Sequence, residues 1–206
     1  MGKGDVTRKK VEAGLPRRRR KELIFKLTGM FATTIGVLFL VIFFATLIGE
    51  GASAFKQTFL KLDIEFSEDV LAPNGDLDLQ YADFDGIVRA ALHEAVPGVS
   101  ARRDRRELSR IVSVGASYQV RDMIVASPEL LGTRQSIWVP ASSNVDMLIK
   151  GNIDADLDEA LRPISDKQIG WVGVLRESGR LDTRFNKALF TNGDSREPEL
   201  AGIKGA

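Results

Sequence analysis

Cysteine is absent from the 206-residue chain. A disulfide framework, a thiolate zinc site and a cysteine nucleophile are thereby excluded, and any folded domain must stand on packing alone. Histidine occurs once, as His93. Its place inside a predicted short helix reads as a surface position rather than a catalytic one. No G-x-S-x-G elbow, H-E-x-x-H helix or G-x-x-x-x-G-K-[ST] loop is present, which removes the nucleophile, zinc and phosphate-loop signatures these motifs carry. The expectation is therefore a protein that is not an enzyme and needs no cofactor. The acidic run Asp154-Ala155-Asp156-Leu157-Asp158-Glu159 lacks the central glycine and the ligand spacing of a calcium loop. It reads as a solvated acidic face or helix start, not as a metal site.

What is present is a strong asymmetry of charge. Residues 1–26 hold ten Lys or Arg against three Asp or Glu, an excess of +7. The remaining residues hold 19 basic and 25 acidic groups, an excess of −6, so the formal total is only +1. Between the two lies a run of 23 residues without a charge, 27–49. At about 1.5 Å per residue this makes a helix of roughly 34 Å, enough for a hydrocarbon core of about 30 Å. A buried helix of a soluble domain is a poor alternative, because it is rarely apolar on every face over six turns.

The basic cluster Arg17, Arg18, Arg19, Arg20, Lys21 and Lys26 precedes the run, and Glu50 follows it. The positive-inside rule puts such a cluster in the cytoplasm, where it also meets anionic lipid. A nucleic-acid partner is not expected, since topology already accounts for these charges. A cleaved signal peptide is the rival reading. Ala52-Ser53-Ala54 has the small-x-small form of a cleavage site, and Arg19-Arg20 faintly resembles a twin-arginine start. A signal's apolar region, however, runs about 7–15 residues. Within the span, Thr28, Ala32 and Gly36 recur every four residues, a stripe along which another helix can approach closely. The alternative is incidental composition.

The organisation is thus a basic cytoplasmic tail (1–26), a transmembrane helix (27–49) and a periplasmic α+β domain (50–206). In residues 58–66, Leu60, Leu62, Ile64 and Phe66 alternate with Lys61, Asp63 and Glu65, the pattern of a half-buried strand. Asn74-Gly75, with a second alternating stretch at 77–80, predicts a hairpin. Asp83 is positioned to cap a helix over 85–95 that ends before Pro97-Gly98. One long helix is expected over 102–126, with Leu108, Ile111, Val112, Gly115 and Tyr118 inward. A buried strand is expected at 136–139, and a short helix after Ser143 or Asn144. Ser165 and Gln168 have the spacing of a capping box, and Gly179 closes the helix they begin. Leu181, Phe185, Leu189 and Phe190 read as a final strand, and the rest as a turn-rich tail.

Arg102, Arg103, Arg105, Arg106 and Arg110 gather near a predicted helix start. Guanidinium forks suit oxyanions, which makes Arg102, Arg103 and Arg106 candidate anion contacts. The opposing expectation is a solvated face. The pair Arg102 and Arg106 and the pair Arg103 and Arg110 are expected to diverge around the axis, with no phosphate recognised.

Residues 165–171 (SDKQIGW), Gly179-Arg180-Leu181, Arg184-Phe185-Asn186 and above all 190–203 (FTNGDSREPELAGI) resemble a particular domain. It is the N-terminal domain, of unknown function, on PstA-type permeases of the phosphate ABC transporter in alphaproteobacteria. The basic tail, single helix and TFLKLDIEF strand are similar as well, so the likeness covers essentially the whole chain. The resemblance implies a membrane permease component of a phosphate importer. Its partners would be membrane lipid, the second permease subunit, the ATPase subunit and a periplasmic phosphate-binding protein. The family's E-A-A-x-x-x-G coupling segment and further spans are absent from this sequence, so the chain is expected to be an N-terminal part that does not transport by itself. The alternative is a bitopic envelope protein whose periplasmic domain binds another ligand or protein.

Overall fold

The structure is a computed structural model that describes residues 3–73, 79 and 81–204, with side chains described from residue 19 onward except Glu50. The elements run α1 (Lys3–Gly51), β1 (Lys56–Glu65), α2 (Glu68–Leu71), α3 (Phe84–Ala95), α4 (Arg102–Leu108), α5 (Gly115–Ala126), β2 (Arg134–Pro140), α6 (Ser143–Ile149), α7 (Asp166–Glu177), β3 (Leu181–Phe185) and α8 (Ala188–Thr191). The chain divides into two compact units, Met1–Ala52 and Ser53–Ala206.

The first unit is one helix of 49 residues. Among the described residues it is the one helix long and apolar enough to cross a membrane. Its apolar side chains are exposed throughout, from Leu23 to Ile48. Thr33 and Thr46 donate their hydroxyls to the carbonyls of Gly29 and Ile42, each at 2.9 Å. Such back-bonding satisfies these two hydroxyl donors within the helix itself, as an apolar medium requires.

The second unit is α+β, built on a three-stranded antiparallel sheet of order β2-β1-β3. The alternation at 58–66 makes β1 the central strand. Thr58, Leu60, Leu62, Ile64 and Phe66 are fully buried, while Lys61 and Asp63 on the opposite face are half-buried. Helices α3 and α5 pack on the apolar side, with Val88, Leu92, Val120 and Ile124 joining the core. On the polar side Arg180 holds Asp63 at 2.8 Å and Ser136 donates to the same carboxylate. These two donors, Ser136 first, hold the Asp63 carboxyl below the usual carboxylate range. The Arg184 guanidinium lies 3.9 Å from the Trp138 ring centroid, a cation–π contact between the two edge strands.

The cap at Asp83 is present and accepts the Gly86 N–H at 2.7 Å. The Ser165–Gln168 capping box is complete. Gly179, at φ +68, lets the Arg180 N–H reach the Leu175 carbonyl at 2.8 Å, the bond that closes a Schellman motif. The expected hairpin turn at 74–75 lies outside the described residues. The partners of β1 are instead distant in sequence.

The single helix expected over 102–126 is broken. A 3-10 turn at Ser109–Ile111 follows α4, Val112 is extended and bridges Ala141, and Ser113 donates to the Pro140 carbonyl at 3.1 Å. β-branched Val112 and Val114 beside Gly115 have little helix preference, so pairing with the end of β2 wins. Tyr118, expected inward, is exposed as a consequence. Strand β2 is an edge strand, buried only at Val139 and Pro140. Ser142 rather than Ser143 takes the N-cap position of α6. The final strand stops at Phe185, and Leu189 and Phe190 belong to α8.

The imidazole of His93 on α3 is held below its usual pKa, first by burial and then by the charges of Arg105 and Arg89. Its Nδ1 is buried without a partner. The unfolded chain therefore binds this proton more readily than the folded one. Stability is full above the ordinary imidazole pKa of about 6.5 and falls as the pH drops below it. Chemical denaturation across that range is expected to show the decline, and His93→Leu is expected to flatten it. An unchanged slope in the variant would assign the effect elsewhere.

Candidate functional site

Three of the four arginines of α4 share a cavity with the start of α7. Arg102, Arg103, Arg106 and Arg110 line one cavity of about 760 Å³, and Arg162 completes its basic wall. The expected divergence of the arginine pairs is thus corrected. At 100° per residue, positions 102, 103 and 106 of α4 fall within an arc of about 100°, Arg110 follows on the 3-10 turn, and only Arg105 points away, donating to the Val99 carbonyl at 3.3 Å.

The two walls are tied together. Glu107 accepts from the Ser165 hydroxyl, and its carbonyl accepts from Gln168 Nε2 at 3.1 Å. Lys167 bridges to Asp104 at 2.7 Å, a contact that raises the lysine pKa. Most backbone donors at the start of α7 are already engaged. Besides its own capping box it has Glu159, which accepts the Asp166 N–H at 3.2 Å. The donors left for a ligand are therefore guanidinium groups.

Arg162 differs from Arg102, Arg103, Arg106 and Arg110. Its side chain is 3% exposed, where theirs are exposed. Nε donates to the Leu157 carbonyl at 3.1 Å and Nη2 pairs with Asp166. Nη1 is buried and has no partner. Burying a guanidinium nitrogen without an acceptor is costly. Five guanidinium groups face two carboxylates, Glu107 and Glu159, around the cavity. Of these, only Arg102, Arg103 and Arg106 were candidate contacts from the sequence. Arg162 sits alone before Pro163, and no local spacing links it to residues 102–110.

The remaining sequence candidates lie on α1. Thr28, Ala32 and Gly36 share an exposed stripe, with open space where Gly36 would carry a Cβ. Arg19, Arg20, Lys21 and Lys26 are exposed, and Lys26 pairs with Glu22 at 2.8 Å. The side chains of Arg17 and Arg18 lie outside the described residues. Among the described residues no cluster of His, Asp and Glu is arranged to hold a metal.

A second constellation closes the domain. The segment read as a turn-rich tail folds back onto β1. Gln57 donates to the Glu199 carbonyl at 2.7 Å, Ser143 donates to the Glu199 carboxylate at 2.5 Å, and Asn192 reaches the Leu200 carbonyl at 3.0 Å. Gly202 lies against the carbonyl oxygens of Ala188 and Asn192, where a Cβ has no room. At the same end Phe55 stacks on Phe190 and Phe190 on Phe185, with centroids 6.1 and 5.7 Å apart, and all three rings are about half exposed.

These features define a small α+β domain, with an arginine-lined cavity, that follows a long apolar helix. The chain belongs to the family described as a domain of unknown function (DUF3333), which matches residues 12–159. That stretch includes α1 from residue 12 onward and the arginines of α4, and ends before Arg162. Comparison with curated proteins and with solved structures found no match.

Proposed function

We propose that this chain is a membrane component of a phosphate-import ABC transporter. Helix α1 spans the inner membrane with its basic end in the cytoplasm, and the α+β unit is an accessory domain in the periplasm. The second permease subunit, the ATPase and a periplasmic phosphate-binding protein are its partners. The likeness of residues 165–203 to the PstA-type domain supports the transporter class, and the +7 and −6 charge split supports the topology.

The structural observation that carries the reading is that the α+β unit begins and closes at one end. The Phe55 carbonyl accepts from the Asn186 N–H at 2.8 Å, and the Ile203 N–H donates to the Leu189 carbonyl at 2.8 Å. Both ends are thus joined to residues 186–190. A domain carried between membrane segments needs this geometry, and the half-exposed phenylalanines there suit a membrane boundary.

The test has two readouts. Alkaline phosphatase fused after residue 204 should be active, because it folds only outside the cytoplasm. Cells lacking the gene should lose phosphate uptake at micromolar phosphate. An inactive fusion overturns the topology. An active fusion with unchanged uptake would favour a bitopic envelope protein with another partner.

A further inference from the structure

We propose that the cavity between α4 and the start of α7 is a binding site for a phosphate-bearing anion with two or more negative charges. This inference stands on the geometry of the cavity and does not rest on the transporter reading. The sequence-based expectation was the opposite, a solvated arginine face.

Four observations carry it. Arginines from two separate parts of the chain, residues 102–110 and residue 162, converge on one concave space. The positive groups outnumber the carboxylates lining that space by five to two. Asp166 neutralises one of them, at Arg162, and still leaves an excess. Finally, Arg162 is buried with Nη1 unpartnered. A buried cation normally has every donor engaged, and Arg162, a residue of the cavity lining, keeps one donor without an acceptor.

The arrangement favours a phosphate group over a single carboxylate. One guanidinium fork satisfies a carboxylate, whereas several forks from different directions match the three oxygens and the double charge of a phosphate monoester. The walls are held before any ligand arrives, by Ser165 and Gln168 on Glu107 and by Lys167 on Asp104. Preorganisation of this kind lowers the ordering cost of binding. Free phosphate species and the headgroup of an anionic lipid share this chemistry.

Calorimetric titration of the full chain in maltoside micelles, which contain no phosphate, separates the two sources. Inorganic phosphate and pyrophosphate are added in one arm, and micelles doped with short-chain phosphatidic acid are used in the other. Saturable binding is expected in at least one arm, with acetate at equal ionic strength inert. Arg103→Gln and Arg106→Gln should each weaken it about tenfold, the effect of roughly 1.4 kcal/mol. Arg105→Gln, the same charge change on the same helix but outside the cavity, should leave it within about twofold. Arg162→Gln should abolish it. Because Arg162 also ties Leu157 and Asp166, its loss could act through the fold, and the deciding variants are those of the exposed Arg103 and Arg106. Saturation by the free anions assigns the site to a soluble ligand, and saturation only with phosphatidic acid assigns it to a lipid headgroup. No saturation in either arm, or equal losses from Arg105→Gln and Arg106→Gln, overturns the proposal.

Discussion

Leu62→Ala is expected to lower the stability of the α+β unit by about 2–5 kcal/mol, the range for truncating a buried leucine whose cavity relaxes only in part. Leu62 is fully buried at the middle of the central strand, between Leu60 and Ile64 on the same face and opposite Ile137 on β2. Domains of this size are held by about 5–15 kcal/mol, so one truncation removes a large share. A thermal melt of the full chain in detergent, followed by near-ultraviolet circular dichroism, should show a drop of roughly 5–15 °C. Lys61→Ala, one residue away on the half-buried polar face, should change stability by about 0.5 kcal/mol or less. Similar losses from both would mean that β1 does not bury the face described.

Asp146→Ala should cost about 2–4 kcal/mol, by a different mechanism. Strand β2 ends at Pro140, opposite Phe59, and leaves the Thr58 N–H beyond the last rung of the ladder. Asp146 on α6 supplies the missing acceptor: its Oδ1 takes both the Thr58 N–H and the Thr58 hydroxyl, each at 2.8 Å. Its other oxygen pairs with Lys150 at 2.6 Å, and both side chains of that pair are largely shielded, at 16% and 15% exposure. Truncation strands two donors on a fully buried residue and leaves a shielded ammonium without its carboxylate. Asp146→Asn keeps an acceptor for Thr58 and should cost less than Asp146→Ala. In a double-mutant cycle with Thr58→Val, the coupling should be about 0.5–3 kcal/mol. Independent, additive losses would show that the contact contributes nothing.

The features legible in the sequence are those written in a short window. The 23 uncharged residues yield a helix because the run has no strand-like alternation and no proline to interrupt it. The period-two pattern of residues 58–66 identifies which side of β1 is buried, since successive side chains point to opposite faces. Asp83, the Ser165–Gln168 box and Gly179 end or begin helices at the positions read, because caps satisfy backbone groups within three or four residues. The candidate site was legible only in part. Arg102, Arg103 and Arg106 stand out as a local cluster, and the helical period alone puts them on one arc, whereas Arg162 reaches the same cavity only through the fold.

What tertiary structure alone decided is which segments meet. The alternation in β1 says nothing about its neighbours. Pairing with residues 134–140 and 181–185 depends on closing long loops and on matching apolar faces, information spread across the whole domain. The same competition breaks the helix expected over 102–126, because residues 112–113 gain more from pairing at the end of β2 than from one further helical turn. The cavity follows from that folding. Residue 162 joins residues 102–110 because α7 docks on α4 through Glu107 and Asp104, contacts made across 58 and 63 residues of chain. Local sequence determines periodicity and capping through bonds a few residues long. Partner choice is set by packing complementarity between faces far apart in the chain, and that exists only once the chain has folded.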